Sequence, residues 1–109
     1  MCGIIGIVSK EKISKSDLWS ITKDAERRGL DSSGILFNSD KDIYLKRSNK
    51  SLTKLIKSSN FEKTNFIIGH SRLITNSLTE NQPVKRNSIY VIHNGIIVNQ
   101  NEIWAKVNL

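Results

Sequence analysis

The chain turns apolar almost at its start. Gly3-Ile4-Ile5-Gly6-Ile7-Val8 follows only two residues and is succeeded by a polar stretch, so it reads as a buried β-strand that begins at the chain terminus. Next to that strand stands the only cysteine, Cys2. Its small side chain suits removal of Met1, which would make Cys2 the terminal residue. One residue would then combine a thiol nucleophile with an α-amine whose ordinary pKa, about 7.7–8.0, fits a base working near neutral pH. The bland alternative for a lone cysteine is a small buried hydrophobe. A single cysteine excludes an internal disulfide and fits a reducing compartment.

Further elements follow from periodicity and punctuation. Ser16 can cap a helix running to about Arg28 with Leu18, Ile21 and Ala25 on one face, and Gly29 reads as the C′ glycine that ends it. Gly34 to Asn38 and Asp42 to Arg47 read as strands joined by the turn Ser39-Asp40-Lys41. Ser51 to Ser58 reads as a short helix carrying Leu52, Leu55 and Ile56. Phe66 to Gly69 is a strand that delivers His70, Ser71 and Arg72 at its end, and Ser88 to His93 is another that delivers Asn94-Gly95. Asn99 or Asn101 can cap a last helix with Ile103, Trp104 and Val107. The expected order is β-α-β-β-α-β-β-α, in a chain of 109 residues that makes one small domain at most.

Charge narrows the partners little. The net charge is +7, but the lysines are scattered among Ser and Asn without interleaved aromatics, so they read as a solvated surface rather than a nucleic-acid face. With one Cys and two separated His, no metal site is expected, nor any cofactor. The start of the chain has neither a basic leader nor a long apolar stretch, which points away from secretion and membranes and toward a cytoplasmic protein.

Four segments carry the chemistry: MCGIIGI at the start, RRGLDSSG from Arg27 to Gly34, GHSRLIT from Gly69 to Thr75, and IHNGIIVN from Ile92 to Asn99. Singly each is weak; Asn94-Gly95 alone would be a hairpin turn. Together and in this order they resemble the glutaminase domain of the class II glutamine amidotransferases, which are N-terminal nucleophile hydrolases. The resemblance implies an α+β fold, part of an αββα sandwich with mainly antiparallel sheets. It implies that Cys2 attacks the carboxamide of glutamine, with its α-amine as base, and that a γ-glutamyl thioester forms and is hydrolysed. Asn94 and Gly95 would supply the oxyanion donors, a role that two preorganised neutral N–H groups suit. Arg72 and Thr75 would bind the glutamine α-carboxylate, a planar guanidinium being well matched to it. Arg28 would support the terminal loop. His70 and His93 are expected to be structural hydrogen-bonding residues, and Gln82-Pro83 to have no chemical role.

Two departures stand out. Asn76 occupies a position where the family often has a histidine, and an amide there can still bind substrate. The family's downstream acidic residue for the glutamine α-amine has no counterpart before Leu109. Residues 1–109 are therefore expected to be the N-terminal part of the glutaminase domain, with its remainder and the acceptor domain lacking. An incomplete sandwich would leave strand edges and an apolar face exposed. The HNGII run and the DSSG element look closest to the glucosamine-6-phosphate synthase type, that is, to glutamine–fructose-6-phosphate aminotransferases. That likeness implies a sugar-isomerase domain receiving the ammonia and a homodimer formed through it. Asparagine synthetase-like, amidophosphoribosyltransferase-like and non-catalytic readings stand as alternatives.

Overall fold

A computed structural model describes residues 3–73 and 81–107. Its elements are β1 (Gly3–Val8), α1 (Lys15–Glu26), β2 (Ser32–Ser39), β3 (Asp42–Ser48), α2 (Leu52–Lys57), β4 (Phe66–Arg72), β5 (Val84–Arg86), β6 (Ile89–Val91) and α3 (Gln100–Lys106). Four strands form one antiparallel sheet in the order β1-β4-β2-β3, and β5 pairs with β6 as a separate hairpin. This is an α+β fold with antiparallel sheets, compatible with part of an αββα sandwich.

The period of two along each strand sorts the sheet into faces. Ile5, Ile35, Phe37 and Ile67 point to one face, where they pack with Leu18 of α1 and Leu52, Leu55 and Ile56 of α2. Burial of these branched side chains is what holds the helices to the sheet. The helices are also tied to each other: Glu26 at the end of α1 accepts a hydrogen bond from the backbone N–H of Thr53, in the first turn of α2. That placement satisfies an orphan helix donor and sets a carboxylate at the positive end of the helix. On the opposite face Ile4 and Val8 are exposed, as are Ile96 and Val98 beyond the hairpin.

Several local readings need correction. Ser14, not Ser16, caps α1, with its side chain accepting from Asp17 N. The hydroxyl of Ser16 is instead hydrogen-bonded to that of Ser14, at 2.9 Å. Gly29 is not a left-handed C′ residue. The C-cap is Arg27, and the last turn closes with the short bonds Arg28 N to Ala25 O and Gly29 N to Glu26 O. Gly29 is there for space, since a Cβ on it would lie 2.4 Å from the backbone of Arg72 and Leu73. The polar stretch before Ser88 contains an unforeseen strand, β5, and the strand expected over Ser88 to His93 shortens to Ile89–Val91. Asn99 precedes α3 but makes no side-chain capping bond.

Two glycine substitutions separate these roles. Gly29→Ala should destabilise by about 1–3 kcal/mol, as overpacking against fixed backbone does. Gly6→Ala should be neutral or stabilise by up to about 1 kcal/mol, because a Cβ there meets only Ile68 Cγ2 at 3.9 Å. Urea denaturation of the two variants measures both.

Candidate functional site

Among the described residues, Arg28, Arg72 and Asn94 lie around the start of β1 and the end of β4. Gly3, the residue after Cys2, pairs in register with Ser71 of β4. Its other side is pressed against α1, where a Cβ on Gly3 would sit 2.3 Å from Ala25 O. Only glycine fits between strand and helix here. Gly3 is thereby held at the last turn of α1, which leads to Arg28.

Along the outer edge of β1 runs an open cleft of about 520 Å³, lined by β1 and α1 residues together with Arg28 and Asn94. Arg28 is exposed and Asn94 enters from the segment after β6. Gly95 follows in nearly extended backbone, with a φ of 159°. Two of the expected residues are thus brought to one cleft beside Gly3. Asp24, which the sequence did not single out, lines it as well.

Arg72 is half-buried at the end of β4, opposite Ser32 in register. It does not line the cleft, but it stands next to Ser71, the partner of Gly3. Its backbone is locked from the other side: Asp31 N donates to Arg72 O at 2.9 Å, and the Ser71 hydroxyl donates to Gly29 O. The element Arg28–Asp31 is therefore stitched to the β4 terminus by backbone contacts. Cys2, Thr75 and Asn76 lie outside the described residues.

The histidines differ from expectation. His70 is fully buried in β4, and neither ring nitrogen has a hydrogen-bond partner among the described residues. It lies in register with Ile4 and Gly34, on the face away from the helices. Burial lowers its pKa below the usual imidazole value, and the Arg72 guanidinium pushes the same way. Burial thus holds His70 neutral, and the hydrogen bonding expected of it has no counterpart among the described residues. His93 is exposed, and its backbone N–H donates to Gln82 Oε1 at 2.6 Å. Among the described residues no three His, Cys, Asp or Glu cluster to hold a metal ion, and no helix is long and apolar enough to cross a membrane.

A second groove, of about 370 Å³, lies on the helical side between Leu18, Trp19, Ile56 and Phe61. It shares no residue with the cleft at β1. Nearby, the ammonium groups of Lys23 and Lys57 lie 5.5 and 5.2 Å from the Trp19 ring centroid.

The chain is similar to curated proteins over nearly all of its length. It is 42% identical to the glutamine–fructose-6-phosphate aminotransferase (isomerizing) of Methanococcus maripaludis, over 94% of this chain and 18% of that protein. The protein of the same name from Pyrococcus horikoshii is 34% identical, with the same coverage. The amidophosphoribosyltransferase of Pasteurella multocida is 32% identical over 98% of this chain and 23% of its own length. The chain thus spans about a fifth of the relatives it matches. No family model and no solved structure matches it.

The titration of His70 has a checkable sign. The unfolded chain takes up a proton near the ordinary value of 6.5, whereas folded His70 does so only at lower pH. The stability it contributes is complete above that ordinary value and is lost as pH falls through it toward the folded pKa. Urea midpoints should therefore drop between about pH 7.5 and about pH 5.5, and His70→Met should flatten that slope.

Proposed function

The chain belongs to the class II glutamine amidotransferases, and on that footing we propose that residues 1–109 are the N-terminal part of a glutaminase domain that hydrolyses glutamine to glutamate and ammonia. The observation that carries this reading is the cleft at the start of β1, which Arg28 and Asn94 both line together with Gly3, the residue that follows Cys2. A nucleophile at position 2 needs its neighbour held fixed, and Gly3 is held between β4 and α1.

In this mechanism Cys2, exposed by loss of Met1, attacks the carboxamide carbon. Its α-amine, acting through a water, takes the thiol proton. The tetrahedral oxyanion is met by the Asn94 side-chain amide and the Gly95 N–H, donors aimed where charge develops. The C–N bond then breaks, and the proton goes to the departing ammonia. Water attacks the γ-glutamyl thioester and releases glutamate, restoring the thiol. Arg72, Thr75 and Asn76 bind the glutamine α-carboxylate, with Arg28 supporting the terminal loop. None of these steps requires a metal or a cofactor.

Both relatives' names specify a phosphorylated sugar, fructose 6-phosphate in one and a phosphoribosyl group in the other. The acceptor of the ammonia is accordingly a sugar phosphate, bound by a synthase or sugar-isomerase domain that forms no part of these 109 residues and through which the protein would dimerise. The higher identity to the aminotransferase favours aminosugar synthesis. The amidophosphoribosyltransferase relatives carry the second reading. An acceptor assay offering fructose 6-phosphate and a phosphoribosyl donor in parallel separates the two.

Intact mass after treatment with diazo-oxo-norleucine should show loss of Met1 and a single adduct on Cys2. Cys2→Ala should abolish glutamine hydrolysis while leaving the circular dichroism spectrum unchanged. Asn94→Ala should lower kcat by about 10²–10³-fold, the usual cost of one oxyanion donor. A Cys2→Ala protein that still turns over glutamine, or a parent that neither labels nor hydrolyses it, refutes the reading in favour of a non-catalytic domain.

A further inference from the structure

The segment Asn81–Pro83 is fastened to the main sheet at each of its residues. Asn81 Nδ2 donates to Ser48 O at 2.9 Å, and Arg47 Nε donates to Pro83 O at 3.2 Å. Between them the Gln82 carbonyl rests on Gly34, in the place a Cβ would occupy. Pro83 is fully buried. The backbone of Gln82 is therefore part of the rigid sheet, although the residue lies outside its strands.

The Gln82 side chain reaches the other way. Its Oε1 accepts the N–H of His93, the residue before Asn94. The β5–β6 ladder between these two points has Val84 opposite Val91 as its outermost pair. Pro83 has no N–H with which to continue the ladder. The Gln82 amide supplies an acceptor beyond the ladder's end and closes the base of the hairpin.

From this geometry we propose that Gln82 is a positioning residue, fixing the peptide that enters Asn94–Gly95 relative to the sheet that carries β1 and β4. The proposal rests on the reading of Asn94 and Gly95 as oxyanion donors. The side chain tying this segment down is an uncharged amide, so it fixes the donors without adding negative charge beside a developing oxyanion. Gln82 acts through His93 and touches no reacting atom in this scheme.

The test is Gln82→Met, which keeps length and removes the acceptor. In the purified protein kcat should fall about 3–10-fold, the range one hydrogen bond commands. The KM for glutamine should hold within about two-fold, because the α-carboxylate contacts are untouched. Affinity for glutamate γ-semialdehyde, whose adduct on Cys2 mimics the oxyanion, should fall in step with kcat. Amide exchange at His93 should accelerate about 3–10-fold while that at Ile35 stays unchanged. Unaltered exchange at His93 overturns the proposal whatever the activity does. So does unaltered kcat, or a loss of kcat matched by an equal loss of labelled Cys2 and by faster exchange at Ile35. A parent protein without glutaminase activity refutes the functional reading instead, and the exchange result still says whether the bond holds the segment.

Discussion

Backbone meets backbone at the C-terminal end of β4, and the arrangement of the candidate site depends on that contact. Ser71 pairs with Gly3 on one side and Ser33 on the other. The Arg72 carbonyl accepts from Asp31, and Gly29 abuts the Arg72–Leu73 peptide with no space for a side chain. The chain start, the Arg28 loop and the Arg72 side chain are thus referred to one short stretch of strand. Backbone contacts of this kind have no rotamers to sample, so they fix relative position more tightly than contacts between side chains do.

What could be read from the residues and what could not divides along physical lines. The apolar run Gly3–Val8 and the Leu52, Leu55, Ile56 stripe declare their elements, although the strand expected to be buried turns only alternate side chains to the core. The turn at Asp40-Lys41 is also legible, since Asp40 takes the positive φ that Asp tolerates. Gly29 is not: a helix-ending glycine and a close-approach glycine look alike after Arg28, and only the fold brings Arg72 alongside. The same holds for Gly34 and Gln82, distant in sequence and touching in space. The cap lies at Ser14 rather than Ser16, a shift of two residues that is within the ordinary ambiguity of helix ends. The short strand β5 could not be anticipated, because Val84–Arg86 has no period long enough to declare itself and is stabilised by β6 alone among the described residues.

The excess positive charge has a structural reading that fits its scatter. Lys23 and Lys57 bracket Trp19, Lys46 lies over the Phe37 ring, and Lys85 over Tyr90. Their aliphatic stems cover apolar surface while the ammonium groups stay in water. These lysines extend the shielding of a small core rather than forming one continuous anion face. His70 is the converse case, a titratable ring kept from water at the centre of the sheet and held neutral by burial.

The position of β1 in the sheet sets how the molecule comes apart. Among the described residues β1 is an edge strand, paired with β4 along six positions and with nothing on its other side. The pair β2–β4, by contrast, lies in the sheet interior. Edge strands open at lower cost than interior ones, in local transitions that leave the rest folded. Opening of β1 would carry Gly3 away from Arg28 and Asn94 while Ile35, Phe37 and Ile67 stayed packed under α2. The edge position of β1 thus makes the cleft beside it the part of the sheet that opens most readily, so mild denaturant would disperse that cleft before it dissolved the β2–β4 interior.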